Sequence, residues 1–210
     1  MKLLLTVILA SGLFAQVSLG MGNNVNTAYK IEHASVEGVM SPTFLASYTF
    51  KNPEDKLTSI TFTFAYDTKH LKSSILQRYE RDFLGATREH FIAYESKERY
   101  EYLSLTAKFD YSIFERLTIS AGPGYLINLS GERSGELSTD DPLLDLIQIK
   151  EALETLDLRD HIYTNNIGLK YKLNPIVNLH FDFQFLTKSI FDFGRDSRIH
   201  SFKLYFTFTI

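Results

Sequence analysis

Residues 199–210 read I-H-S-F-K-L-Y-F-T-F-T-I. From Phe202 onward every second residue is apolar: Phe202, Leu204, Phe206, Phe208 and Ile210. Lys203, Tyr205, Thr207 and Thr209 stand between them. A period of two puts one set on each face of an extended strand, giving one oily face and one mostly polar face. With the sequence ending there, the stretch is expected to be the closing strand of a barrel.

The same alternation recurs upstream. Val177, Leu179, Phe181, Phe183 and Phe185 alternate with Asn178, His180, Asp182 and Gln184, and Ile167, Leu169, Tyr171 and Leu173 alternate with Gly168, Lys170 and Lys172. Earlier, Phe44 to Phe50, Ile60 to Tyr66, Leu103 to Tyr111 and Leu117 to Ile127 follow the rule. Pro123, set between Gly122 and Gly124, predicts a bend or bulge, because proline cannot donate to a ladder. The weakest strand is expected at 28–38, with Tyr29 and Ile31 on one face and Lys30 and Glu32 on the other. Residues 21–27 read as a polar leader, and Met40-Ser41-Pro42 as a turn.

Connections alternate in length. Those at 52–56, 112–115 and 174–176 are tight, while 68–100 and 130–160 are long. Within the second long segment, Asp141-Pro142 resembles an N-cap with proline at the first helical position. Leu146, Ile149, Leu153 and Leu156 then recur at helical spacing. A short amphipathic helix is expected over 142–157, on or beside the mouth. The count is eight strands, so the expectation is an all-β fold: an eight-stranded antiparallel, transmembrane up-and-down barrel with a short helix in a long extracellular loop.

Composition agrees. Tyr and Phe number 12 and 17 in 210 residues, which favours strands. There is no cysteine, which excludes disulfides, thiolate sites and a lipid-anchored N-terminal Cys. A formal net charge of −3 gives no basic field for nucleic acid. Lys2, the apolar run Leu3–Phe14 and the small residues Ser18-Leu19-Gly20 resemble a secretory signal. The expected division is a signal peptide at 1–20 and a barrel domain at 21–210. After export, the predicted location is the outer membrane of a Gram-negative bacterium.

The facing of the barrel follows from its second face. A soluble barrel turns its apolar face inward and its charged face to water. Here the polar face is hydroxyl-rich, with few charges: Lys108, Asp110, Lys170, Lys172, His180, Asp182 and Lys203. Both signs occur and can pair in a narrow interior, since eight strands leave only enough room for side chains. The other face carries no Lys, Arg, Asp or Glu in the seven clear strands, which suits lipid. Phe50, Tyr111, Tyr171 and Phe208 gather near one end of the strands, and Tyr66 and Tyr125 near the other, resembling interfacial girdles.

The leader, the segment Leu117-Thr118-Ile119-Ser120-Ala121-Gly122-Pro123-Gly124-Tyr125 and the strand Phe202–Ile210 together resemble the small bacterial outer-membrane β-barrel proteins. In particular they resemble the PorT-like barrel domain of Bacteroidota, within a group that includes OmpX and the barrel of OmpA. The resemblance implies a barrel inserted by the barrel-assembly machinery through its C-terminal strand, and PorT-like proteins are linked to protein secretion. The chain departs from the pattern in ending on Ile210 rather than an aromatic residue. No wall-binding domain of the OmpA kind is expected after the barrel.

Catalytic and ligand motifs are sparse. His33 and Ser35 share a strand face, and His200 adjoins Ser201, the residue types of some outer-membrane lipid A deacylases. A polar strand end accounts for both. Asp192 and Asp196 flank Gly194 without an EF-hand pattern, and Gly122-Pro123-Gly124 lacks the Lys-Ser/Thr of a phosphate loop. Asn128-Leu129-Ser130 matches a sequon of no consequence in a bacterium. No catalytic, cofactor or metal site is therefore expected, and no cofactor.

The expected function is non-enzymatic, structural or adhesive, with 68–100 and 130–160 exposed. The first segment is mildly basic and the second acidic, so they are expected either to pack together over the mouth as an interaction surface or to be two solvated loops. The alternatives are a narrow channel or part of a secretion or transport assembly, and a lipid-modifying enzyme. Expected partners are outer-membrane lipid, the assembly machinery and a protein at the extracellular loops, with no nucleic acid.

Overall fold

A computed structural model describes residues 14–29, 34–51, 55, 57–83, 86–155, 158–188 and 198–210. Eight antiparallel strands follow one another round a closed ring: β1 (Phe14–Tyr29), β2 (Ala34–Lys51), β3 (Thr58–Phe83), β4 (Ala86–Phe114), β5 (Leu117–Thr139), β6 (His161–Lys172), β7 (Val177–Leu186) and β8 (Arg198–Thr209). One helix, α1 (Leu146–Glu154), lies between β5 and β6. Closure is made by β1 against β8, with Ser18 opposite Thr209 and Val25 opposite Phe202. The stretch 199–210 is thus a closing strand, and its alternation matches the burial: Ser201, Lys203, Tyr205 and Thr207 are buried in the lumen, while Phe202, Leu204, Phe206 and Phe208 are exposed outside.

The first two strands differ from the expectation. Residues 21–27 are not a leader but the middle of β1. Of the weak strand expected at 28–38, residues 28–29 belong to β1 and 34–38 to β2, while Lys30, Ile31 and Glu32 lie outside the described residues. β1 begins at Phe14 and so overlaps the range expected for the signal peptide. Its outward residues Val17, Leu19 and Met21 merge with the apolar run before them, and Gly20 and Gly22 interrupt the inward pattern. The glycine at 22 is a packing requirement: a Cβ there would lie 2.1 Å from the carbonyl oxygen of Leu204 on β8. Met40-Ser41-Pro42 is not a turn either. It is a bulge inside β2, where the register with β3 shifts between Val39 and Thr43. Ser41 Oγ repairs the ladder by accepting the His70 N–H at 3.0 Å and donating to the Val39 carbonyl at 3.4 Å. That is how a proline is tolerated in a strand.

At Pro123 the converse holds. The register between β4 and β5 is the same on both sides of it, so ladder bonds are lost without a bulge.

The two long connections are mostly strand. β3, β4 and β5 run for 26, 29 and 23 residues, against 10 to 12 for β6 to β8. A barrel strand needs about 9–11 residues to cross a bilayer, so these three stand far above the rest. The segments expected to be loops therefore pair as one projecting sheet, from Phe83↔Ala86 at the tip of the β3–β4 hairpin to Ile92↔Thr139 at the top of β5. Strand propensity was masked there because exposed charges occupy one or both faces.

The helix is shorter than expected and starts later. Asp145, not Asp141, is its N-cap, accepting from the N–H groups of Ile147 at 3.0 Å and Gln148 at 3.2 Å. Pro142 sits in the preceding turn.

Candidate functional site

The lumen is filled, layer by layer. Near the short turns, Lys170 lies 3.7 Å from Asp110, which also accepts from Thr61 Oγ1 at 2.6 Å. Next comes Lys108 paired with Asp182, which also accepts from the Tyr205 hydroxyl at 2.5 Å. His180 stacks on the Tyr205 ring at 4.5 Å. Gly168 makes room here, because a Cβ would fall 1.9 Å from Asp182 Oδ1. Higher still, Lys203 pairs with Asp67, which accepts from Thr43 Oγ1 at 2.5 Å. Lys69 donates to Gln184 Oε1 at 3.3 Å and to Ser201, which donates in turn to Asn26 at 2.8 Å. Of the lumenal charges that the alternation singled out, Lys108, Asp110, Lys170, Asp182 and Lys203 pair across the interior, whereas His180 meets Thr207 Oγ1 at 2.9 Å and Lys172 has no carboxylate partner among the described residues. The alternation also extends one step further than the sequence expectation: Lys69 lies on the same odd-numbered face of β3 as Thr61, Thr63 and Asp67, although it falls in the segment 68–100 expected to be a loop.

Above this polar stack the lumen turns apolar. Leu71, Tyr100, Tyr102, Leu126, Ile162, Leu186 and Ile199 form one buried cluster, and Val36 and Leu158 pack against it. Every strand from β2 to β8 contributes. The barrel is therefore stoppered at its long-strand end by a dry layer and below it by paired charges. A conducting path needs a continuous wet lining, and the arrangement does not provide one.

Over the stopper stands the projecting sheet. At its root, Glu98 accepts from Arg133 Nε at 2.9 Å and from the Tyr100 hydroxyl at 2.5 Å. At its top, the two residues after β5 clasp the other two strands. Asp140 accepts the Phe91 N–H of β4 at 3.0 Å. Asp141 accepts from Tyr79 Oη and Arg81 Nη1 of β3, both at 2.7 Å, and from the Leu143 N–H at 2.9 Å. These donors, the Leu143 N–H first, hold the Asp141 carboxyl down at about 2. The Phe91 N–H likewise lowers Asp140. The basic and acidic segments thus pack together, side by side as strands.

The helix guards the edge of this sheet. Beyond Ile127, β5 no longer pairs with β6. There the Gly135 N–H donates to Glu154 Oε1 at 3.2 Å, and Arg133 Nη1 donates to the Leu153 carbonyl at 2.9 Å. Covering an open edge in this way blocks adventitious strand pairing. The outer side of α1 is left apolar and exposed, with Ile147 72 % accessible and Leu143 and Leu146 beside it.

The sparse catalytic candidates do not assemble. Ser201 points into the lumen and is buried, whereas its neighbour His200 has the opposite parity and lies 5.8 Å from the Phe183 ring. His33, Asp192, Gly194 and Asp196 lie outside the described residues, and Ser35 is described only as backbone in β2. Gly122 and Gly124 are close-packed β5 positions, where a Cβ would fall 1.9 Å from the Ala107 carbonyl oxygen and 2.5 Å from Thr164 Oγ1. Asn128 and Ser130 sit where β5 leaves the ring. Among the described residues there is no group of three or more His, Asp or Glu placed to hold a metal, and no helix is long and apolar enough to cross a membrane.

No family model matches the chain, and no curated protein matches it. Solved structures similar to it are outer-membrane or surface proteins. The attachment invasion locus protein Ail of Yersinia pestis, in complex with a heparin analogue, is 13 % identical over 93 % of this chain and 97 % of its own, with a TM-score of 0.43. Neisserial surface protein A is 8 % identical over 95 % and 99 %, with a TM-score of 0.45. OprG of Pseudomonas aeruginosa is 11 % identical over 93 % and 95 %, with a TM-score of 0.40. Identities and scores this low leave the functional reading to the residues of this chain.

Proposed function

We propose that this chain is a non-enzymatic, integral outer-membrane barrel that anchors the β3–β4–β5 sheet and α1 outside the cell as a binding surface. The observation that carries the reading is the outward face. Phe64, Phe109 and Phe202 are 50 %, 56 % and 55 % exposed, and among the described residues no second layer of protein covers them or their neighbours round the ring. In water such a surface would aggregate. In a bilayer it is the required one, and a charge at mid-depth would cost about 2–4 kcal/mol. Short turns then face the periplasm and the tall sheet faces outward.

The export signal belongs to the same proposal, with its end moved. Cleavage after Gly20 would remove the start of β1, whose paired residues include Ser18 opposite Thr209 and Gln16 opposite Thr49. Cleavage after Ala15 keeps those pairs and leaves a small residue at the cut. N-terminal sequencing of the mature protein decides between them.

A channel is the less favoured reading, because the apolar layer closes the lumen. The PorT-like resemblance in 117–125 and 202–210 keeps a secretion-assembly role as the finer alternative, and a partner copurifying through the projecting sheet would favour it. The test of the main reading is electrophoresis of the detergent-extracted membrane fraction with and without boiling. A closed barrel resists SDS until heated and shifts its apparent size. Recovery as a soluble periplasmic protein without a shift overturns the reading.

A further inference from the structure

The short-turn end of the barrel is built unlike the sealed end. Here the lumen opens into a cavity of about 810 Å³ to which all eight strands contribute, among them Gln16 of β1, Ser59 of β3, Asn178 of β7 and Thr209 of β8. It narrows inward to a pocket of about 30 Å³ and ends blind at Lys108 and Tyr205. Four cations line the wide part: Lys51, Arg116, Lys170 and Lys172. Among the described lining residues, the carboxylates opposing them are Glu115, on the rim, and Asp110, at the entrance to the narrow part.

Among the described residues, Lys170 is the one of the four with an ion pair, to Asp110 at 3.7 Å, while Lys51, Arg116 and Lys172 are exposed and meet no described carboxylate within ion-pair distance. Lys170 and Lys172 stand two residues apart on one face of β6, about 7 Å by strand geometry. Elsewhere in the lumen each lysine meets a carboxylate or a cluster of neutral acceptors. This end gathers like charges around one space, which costs repulsion unless an anion enters.

We propose that the vestibule at the short-turn mouth binds a phosphate-bearing ligand, with Lys51, Lys172 and Arg116 as its cationic contacts. An arginine fork and flexible ammonium groups are the side chains suited to phosphate oxygens, and the Gln16 and Asn178 amides and the Ser112–Thr118 hydroxyl pair supply neutral donors around it. A surplus of two positive charges matches one phosphate dianion or two phosphodiesters. Under the membrane reading, on which the proposal rests, two sources present that chemistry at this depth: a soluble phosphate ester in the periplasm, and the headgroup of an anionic phospholipid in the inner leaflet.

The test uses the mature protein in phosphatidylcholine nanodiscs, titrated calorimetrically with glycerol 3-phosphate. In parallel, native mass spectrometry follows the detergent-solubilised protein offered equal phosphatidylcholine and phosphatidylglycerol. Each arm compares the wild type with the double variant K51Q/K172Q, with the single variant K172E in case the double variant inserts poorly, and with K97Q on the opposite side of the barrel as control. We expect binding in at least one arm, weakened tenfold or more in K51Q/K172Q and K172E, unchanged in K97Q, and reduced by salt. Binding of the ester identifies a soluble ligand, and selective retention of phosphatidylglycerol identifies the headgroup. Absence of binding in both arms, or equal binding by wild type and variants, overturns the proposal. The unboiled gel shift is read on the same samples. A shift without binding refutes the vestibule alone, whereas binding without a shift refutes the membrane reading alone.

Discussion

Tyr79 of β3 and Asp141, just past β5, are 62 residues apart in sequence and joined by a hydrogen bond of 2.7 Å from the phenol to the carboxylate. Arg81 completes the clasp from the same strand. The bond matters because β3 and β5 are not neighbours: β4 runs between them. One carboxylate thus ties the two outer strands of the projecting sheet, while the adjacent Asp140 holds the middle one.

Replacing Asp141 with Asn is expected to loosen the tip without opening the barrel. Limited proteolysis of intact cells should cut the 76–92 hairpin several-fold faster in Asp141→Asn, while the unboiled gel shift is unchanged. Equal cleavage rates would show that the clasp carries no order.

The same clasp has a predictable response to acid. Binding its donors lowers the Asp141 carboxyl from 3.8 to about 2. A depressed carboxyl stabilises the folded tip above the unfolded value and loses that contribution as pH falls through the folded one. The hairpin should therefore keep its protease resistance down to about pH 4 and lose the Asp141 share between about 4 and 2. The Asp141→Asn variant should lack this particular step. Acid-stable pepsin is a suitable probe.

Lumenal packing gives a suppressor prediction. A methyl group at Gly168 would strike Asp182, so Gly168→Ala should impair folding, measured as loss of the heat-modifiable band. Asp182→Ala leaves Lys108 buried without its partner and is expected to cost about 3–5 kcal/mol. Because it removes the obstructing carboxylate, adding Gly168→Ala to it should cost little more. Additive losses would contradict the geometry.

The dry layer can be tested for both stability and closure. Leu126 is fully buried in it. Leu126→Ala should lower unfolding stability by about 2–4 kcal/mol, read from urea titration of the gel shift in lipid. Wild-type protein in a planar bilayer should give no steady conductance.

How much of this was legible in sequence varies with what each residue faces. From Phe44 to Phe50 and from Leu103 to Ile210, strands carry apolar residues on one face and hydroxyls or paired charges on the other, and the alternation predicted their facing correctly. It weakened wherever a strand left the membrane-like environment. Above Leu71, both faces of β3 and β4 accept charge, so Lys72, Arg78 and Glu80 read as loop. At β1, an export-like apolar run and the tight positions Gly20 and Gly22 hid the period. The bulge at Ser41-Pro42 imitated a turn because it uses the same residue types. The clasp at Asp141 was out of reach, since Asp-Pro suits an N-cap equally well and only the tertiary fold brings Tyr79 and Arg81 to it. The apolar stopper was also missed, because Tyr100, Tyr102 and Leu126 interrupt an otherwise polar lumenal face and look like lapses in the pattern.

The most direct measurement of the central claim is the facing of β3 in a bilayer. The chain has no cysteine, so single cysteines can be placed without background at Thr61, Phe62, Thr63 and Phe64 and labelled with an environment-sensitive fluorophore. In vesicles containing nitroxide-labelled lipid, Phe62→Cys and Phe64→Cys should be strongly quenched, and Thr61→Cys and Thr63→Cys weakly. Quenching that alternates in the opposite phase, or no quenching at any site, would contradict a barrel that turns these phenylalanines to lipid.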